Sequence, residues 1–96
     1  MKPMGVTVRF FASFREAAGR SSVEFDGEKS LAALLDEITE RFGERMAAEL
    51  YRTGTRELRP TVNMLLNGVP LRLPEDLCVR LRDGDTLAIF PPVSGG

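Results

Sequence analysis

The last seven residues, Phe90-Pro91-Pro92-Val93-Ser94-Gly95-Gly96, end the chain on two unconstrained glycines behind two constrained prolines, and they could do a chemistry that needs no reactive side chain. There is no histidine in 96 residues, which removes Ser-His-Asp triads, Cys-His pairs and imidazole metal sites together. Cys78 stands alone, so one chain forms no disulfide and no CxxC motif. In "EDLCVRL", between Leu77 and Val79, it reads as a small buried hydrophobe without a catalytic role. The tail offers something different, a main-chain carboxylate on Gly96. Pro91 and Pro92 hold φ near −65° and donate no ladder hydrogen bond, so a sheet must stop at about Phe90 and the chain must leave it extended. The six residues from Pro91 to Gly96 reach roughly 20 Å at about 3.3–3.6 Å each. Ser94, Gly95 and Gly96 carry no bulk, so such a segment can thread a narrow tunnel and bring a terminal carboxylate into another protein's active site. A frayed terminus of the same composition would look alike; the stiff Pro-Pro stem argues against it.

A tail of this kind needs a rigid base. "GVTVRFF" alternates, with Val6, Val8 and Phe10 on one side of a strand and Thr7, Arg9 and Phe11 on the other. "SFREAAG" has the spacing of a capping box, Ser13 with Glu16, and a left-handed stop at Gly19, which predicts a short helix. "SSVEFDG" alternates again through Val23 and Phe25 up to an Asp26-Gly27 turn. Ser30 then reads as the N-cap of the clearest helix, whose apolar stripe runs Leu31, Leu34, Leu35, Ile38, Phe42 and stops near Gly43. Residues 44 to 58 keep a weaker helical spacing through Met46, Leu50 and Tyr51 and lose it at Gly54, predicting a short helix and a solvated loop. "TVNMLLNG" ends in Asn67-Gly68, a hairpin signal, so "VPLRL" is expected beside it. After Asp83-Gly84-Asp85, "TLAIF" points Leu87 and Ile89 inward and Thr86, Ala88 and Phe90 outward.

This order of elements predicts an α+β domain, a mixed sheet packed on one long helix. A last strand parallel to the first at the sheet centre fits the ubiquitin-like β-grasp, although other small α+β sheets share the order. The domain is expected over residues 1–90, with an extended tail over 91–96 and no second domain or repeat. With Val6, Val8 and Phe10 inward, Phe11 and Phe90 point outward at the ends of two strands, and Leu65 joins them from the hairpin. Parallel neighbouring strands would bring Phe11 and Phe90 together as a partner-docking patch at the root of the tail. The alternative is that segment 44–58 or the first short helix folds over them.

Composition narrows the partners. Thirteen Lys+Arg against 14 Asp+Glu give a net charge of −1, so the basic field that nucleic acid or a membrane surface needs is missing. No apolar run approaches a membrane span, and "MKPMGVTVRFF" has no signal-peptide pattern; the expected location is the cytoplasm.

"VRFFASFREAAG" and "LRDGDTLAIFPPVSGG" resemble the ends of the MoaD-type sulfur carrier, the small subunit of molybdopterin synthase in the ubiquitin-like MoaD/ThiS family. "VNMLLNG" is similar to that family's middle strand. The resemblance spans nearly the whole chain and is weakest over 44–60. It implies that the Gly96 carboxylate is adenylated by an ATP-dependent enzyme of the ubiquitin-activating type and converted to a thiocarboxylate. The tail, Pro91 to Gly95 behind Gly96, then enters the large subunit of molybdopterin synthase, where sulfur passes to a pterin precursor. It also implies that the chain binds no cofactor or metal, ATP being used by the activating partner, and that Phe11 and Phe90 fall where the family has partner-contacting hydrophobes. Leu65 is the third candidate, with Val69, Pro70 or Leu71 as alternatives from the same region. Related carriers for tungsten-pterin, thiamine or cysteine pathways share these residues, and so do ubiquitin-like modifiers conjugated to lysines.

Overall fold

The computed structural model describes residues 5–92. The chain runs β1 (Val6–Phe10), α1 (Ser13–Ala18), β2 (Ser22–Phe25), β3 (Lys29–Ser30), α2 (Leu31–Phe42), α3 (Glu44–Leu50), β4 (Asn63–Leu66), β5 (Val69–Pro70), a 3₁₀ turn (Glu75–Cys78), β6 (Arg80–Leu81) and β7 (Thr86–Phe90). Five strands form one sheet in the order β2-β1-β7-β4-β5, with β3 and β6 paired apart from it. β1 and β7 are parallel and central, and their other neighbours are antiparallel. This is the mixed sheet of an α+β β-grasp.

Alternation decides which face is covered. Val6, Val8, Phe10, Leu87, Ile89 and Met64 are at most 2% exposed and face the helices. α2 lays Leu31, Leu34, Leu35 and Ile38 onto that face, as its periodicity requires. Ser30 caps α2 by accepting a hydrogen bond from the Ala33 amide at 3.1 Å. α3 adds Met46 and Leu50, both fully buried, and the solvated loop expected around Gly54 follows Tyr51.

Two expectations need correction. Ser13 does not cap α1: Ala12, at φ 53°, precedes the helix, and no side chain satisfies its first amides. The cause lies upstream. The Phe11 amide is still bonded to the Ile89 carbonyl of β7, so the chain must turn sharply at Ala12 and Ser13 enters as the first helical residue. Cys78 is exposed rather than buried. Its Sγ lies 3.7 Å from the Glu75 carbonyl, as the end of a 3₁₀ turn that sends the flanking Leu77 and Val79 against the core instead.

Two turns are tied to each other beside the centre. Asn67 and Gly68 take positive φ (51° and 84°), as a tight hairpin demands. The Asn67 side chain donates to Asp85 Oδ1 at 2.9 Å and accepts from the Thr86 amide at 2.9 Å. Asp85 in turn accepts from the Arg82 amide at 2.8 Å, so the β4–β5 hairpin and the start of β7 move as one body.

Candidate functional site

The sheet face turned away from the helices carries Phe11 and Phe90 side by side. Phe11 and Phe90 stack, with ring centroids 4.4 Å apart and planes 12° from parallel. The register explains the contact: Phe10 pairs with Ile89 in the parallel β1–β7 ladder, so the next residues, Phe11 and Phe90, arrive side by side. Both are half-buried, each covering one face of the other. Neither belongs to the core cluster or packs against it. The alternative in which α1 or segment 44–58 covers them is therefore ruled out: α3 and the buried residues of α1 lie with α2 on the opposite face.

Leu65 lies on the same outer face. It pairs with Ala88 of β7 on one side and Pro70 of β5 on the other, while Asn63 pairs with Phe90. The patch therefore runs Phe11, Phe90, Ala88, Leu65, Pro70 across three strand boundaries. Its border is polar: Asn63 is exposed, and the Arg9 guanidinium sits 5.5 Å from the Phe11 ring centroid. Val69, 62% exposed, is the most exposed large hydrophobe among the described residues and lies at the hairpin edge, paired with Leu66.

Pro91 and Pro92 leave the sheet directly behind Phe90. They form part of a cleft of about 220 Å³ shared with Ser13, Ala48, Glu49 and Arg59. The remaining tail positions, Val93, Ser94, Gly95 and Gly96, lie outside the described residues. Among the described residues no three His, Cys, Asp or Glu side chains gather as a metal site, and no helix is long and apolar enough to cross a membrane. A larger cavity of about 400 Å³ lies between the 52–60 loop and the 3₁₀ turn, walled by Leu58, Leu73 and Leu77 with Arg52, Arg56 and Glu57. It brings no nucleophile next to a base. Sequence reasoning missed Ala88 as a member of the patch and held Pro70 only as an alternative to Leu65; the register, which no local pattern reports, places both beside Leu65.

Over 97% of the chain, and the whole length of the relative, the sequence is 34% identical to small archaeal modifier protein 3 of Haloferax volcanii. It is also 34% identical to the molybdopterin synthase sulfur carrier subunit of Aedes aegypti, covering 95% of this chain and 88% of that protein. Among solved structures, small archaeal modifier protein 1 of Methanosarcina acetivorans superposes with a TM-score of 0.78 at 30% identity, both chains covered completely. The ThiS family model matches residues 8–96, and with the β-grasp sheet, the outer aromatic stack and the proline stem in place, the chain belongs to the ThiS family of ubiquitin-like sulfur carriers and modifiers.

Proposed function

We propose that this protein is a sulfur carrier that works through the Gly96 carboxylate and serves as the small subunit of a molybdopterin synthase. The observation that carries the reading is the Phe11–Phe90 stack, an apolar surface outside the core at the root of the stem. An enzyme acting on a tail must first hold the body that bears it, and a half-exposed aromatic pair with a polar border suits such a hold. The domain spans 1–90 and the working tail 91–96, and the setting is the cytoplasm.

The chemistry follows from the weakness of a carboxylate as an electrophile. In the activating enzyme of the ubiquitin-activating type, a Gly96 carboxylate oxygen attacks the α-phosphorus of ATP and pyrophosphate leaves. Sulfide-level sulfur then adds to the acyl carbon and AMP departs, leaving a thiocarboxylate. Glycine is the least hindered acyl group for both steps. The large subunit would receive the tail and pass the sulfur to a pterin precursor. This chain supplies the acyl group, the stalk and the docking face, and binds neither metal nor cofactor itself.

The likeness to a small archaeal modifier favours a second reading, in which a target lysine takes the acyl group in place of sulfur. Carriers for tungsten-pterin, thiamine or cysteine pathways differ only in the acceptor. Incubation of the full chain with ATP, the activating enzyme, a sulfur source and cell proteins, followed by mass measurement, separates carrier from modifier, and adding the pterin precursor with the large subunit then tests the acceptor. A sulfur-for-oxygen gain at the terminus supports the carrier; isopeptide remnants on other proteins without that gain support the modifier. Deletion of Gly96 is expected to abolish the gain while shifting stability by less than about 0.5 kcal/mol. A large fall in melting temperature on that deletion would count against a free tail.

A further inference from the structure

The cations of this chain are unevenly divided: Lys2 and Lys29 stand against eleven arginines. The difference is chemical as well as electrostatic. A lysine amine can lose a proton and attack an acyl group, whereas a guanidinium stays protonated and delocalised. A protein that carries an activated acyl group is an acylating agent toward every amine it meets, including those of other copies of itself.

Lys29 is the lysine among the described residues, and its side chain is only 11% exposed. Its Nζ lies 2.5 Å from a Glu37 carboxylate oxygen, which joins β3 to α2. The same nitrogen sits 5.9 Å from the centroid of the Phe25 ring. An amine attacking a carbonyl needs an open approach for its nitrogen, and here that nitrogen is held by a carboxylate on one side and roofed by a ring on another.

We infer that Lys29 is withdrawn from acylation, so that the chain, once charged at Gly96, does not acylate copies of itself at this position. This rests on the charging reaction proposed above. Self-acylation would join Lys29 Nζ to the Gly96 carbonyl carbon and break that carbon's bond to AMP. AMP would leave with the electron pair and the amine proton would pass to water. The product, an isopeptide-linked pair, would have lost one carboxylate for good. Arginines keep the surface charged without offering a competing nucleophile, and the fold shields the lysine at position 29.

The test uses the full, uncharged chain and a small acylating probe, the N-hydroxysuccinimide ester of acetic acid. Acetylation of the Lys29 peptide is followed by mass spectrometry in the folded protein and in the same protein unfolded in urea, each corrected to free Nα-acetyl-lysine under identical conditions. The folded protein is expected to react about tenfold or more slowly at Lys29, as for a group reached only by local opening. Equal corrected rates would overturn the inference. Glu37→Gln, checked for folding by circular dichroism, is expected to narrow the gap, and an unchanged gap would overturn the role given to the ion pair. Because the ester takes the place of the adenylate, the result does not depend on whether Gly96 is ever charged, which the intact-mass experiment tests separately.

Discussion

Phe90 has two neighbours that define its work: Phe11, stacked on its ring, and Pro91, which ends its strand. It is half-buried and outside the core cluster, so its burial is not part of the packing between sheet and helices. Phe90→Arg is therefore expected to change stability by less than about 1 kcal/mol. Affinity for the activating enzyme should fall by about 2 kcal/mol or more, as for loss of a central aromatic anchor. Thermal melting and calorimetric titration of the same variant check the two halves, and a variant that fails to fold would place Phe90 in the core after all. Gly5 presents the opposite case, a residue with no surface role and a strict backbone one. At φ +136°, a Cβ there would lie 2.3 Å from the Phe25 carbonyl oxygen, and neither strand can yield without breaking the β1–β2 ladder. Gly5→Ala should cost about 2–4 kcal/mol in urea unfolding, from strain and clash together.

At the scale of elements, two serines that look alike in sequence separate. Ser30 accepts a hydrogen bond from an α2 amide, so Ser30→Ala is expected to cost about 1 kcal/mol. Ser13 makes no cap bond to α1, so Ser13→Ala should stay within about 0.5 kcal/mol. Paired denaturation curves decide it, and similar losses for both would show Ser13 capping in solution. The apolar stripe of α2 was legible because its period repeats over three turns. The Ser13 motif was misleading because a capping box describes only four residues, while the bond from Phe11 to Ile89 decides where the helix can begin. Segment 44–58 was half legible. Its short helix follows from Met46 and Leu50, but only its packing against α1 and α2, which buries both side chains, makes it part of the core.

For the molecule as a whole, Tyr51 reports on the packing of that segment. It is 7% exposed and is the only tyrosine in the chain, so its phenolate absorbance is a clean signal. Burial raises its pKa above 10.0, against an opposing pull from the Arg56 guanidinium, whose carbon lies 5.5 Å from the ring centroid. A raised folded-state pKa means that the unfolded chain ionises first. The tyrosine's contribution to stability is full below pH 10 and is lost as pH rises from there through the folded-state value. The titration midpoint in the native protein is expected above 10.0, with a denaturation midpoint that falls over the same range in the wild type and less in Tyr51→Phe. A native midpoint at or below 10.0 would mean that segment 44–51 is not packed as described.

From sequence alone one could read the alternation of β1 and β7, the helical stripe of α2, the Asn67-Gly68 turn and the proline stop behind Phe90. Each depends on residues within a few positions of one another, where backbone geometry and side-chain period act directly. Tertiary structure alone decided that Ala88 extends the aromatic patch, that Pro70 lies beside Leu65 rather than in its place, that Cys78 faces solvent, that Ser13 caps nothing and that Lys29 is enclosed by Phe25 and Glu37. Those outcomes turn on which distant segments meet and in what register. A period of two or 3.6 residues says which side chains share a face, but only the packing of separate elements says what covers that face.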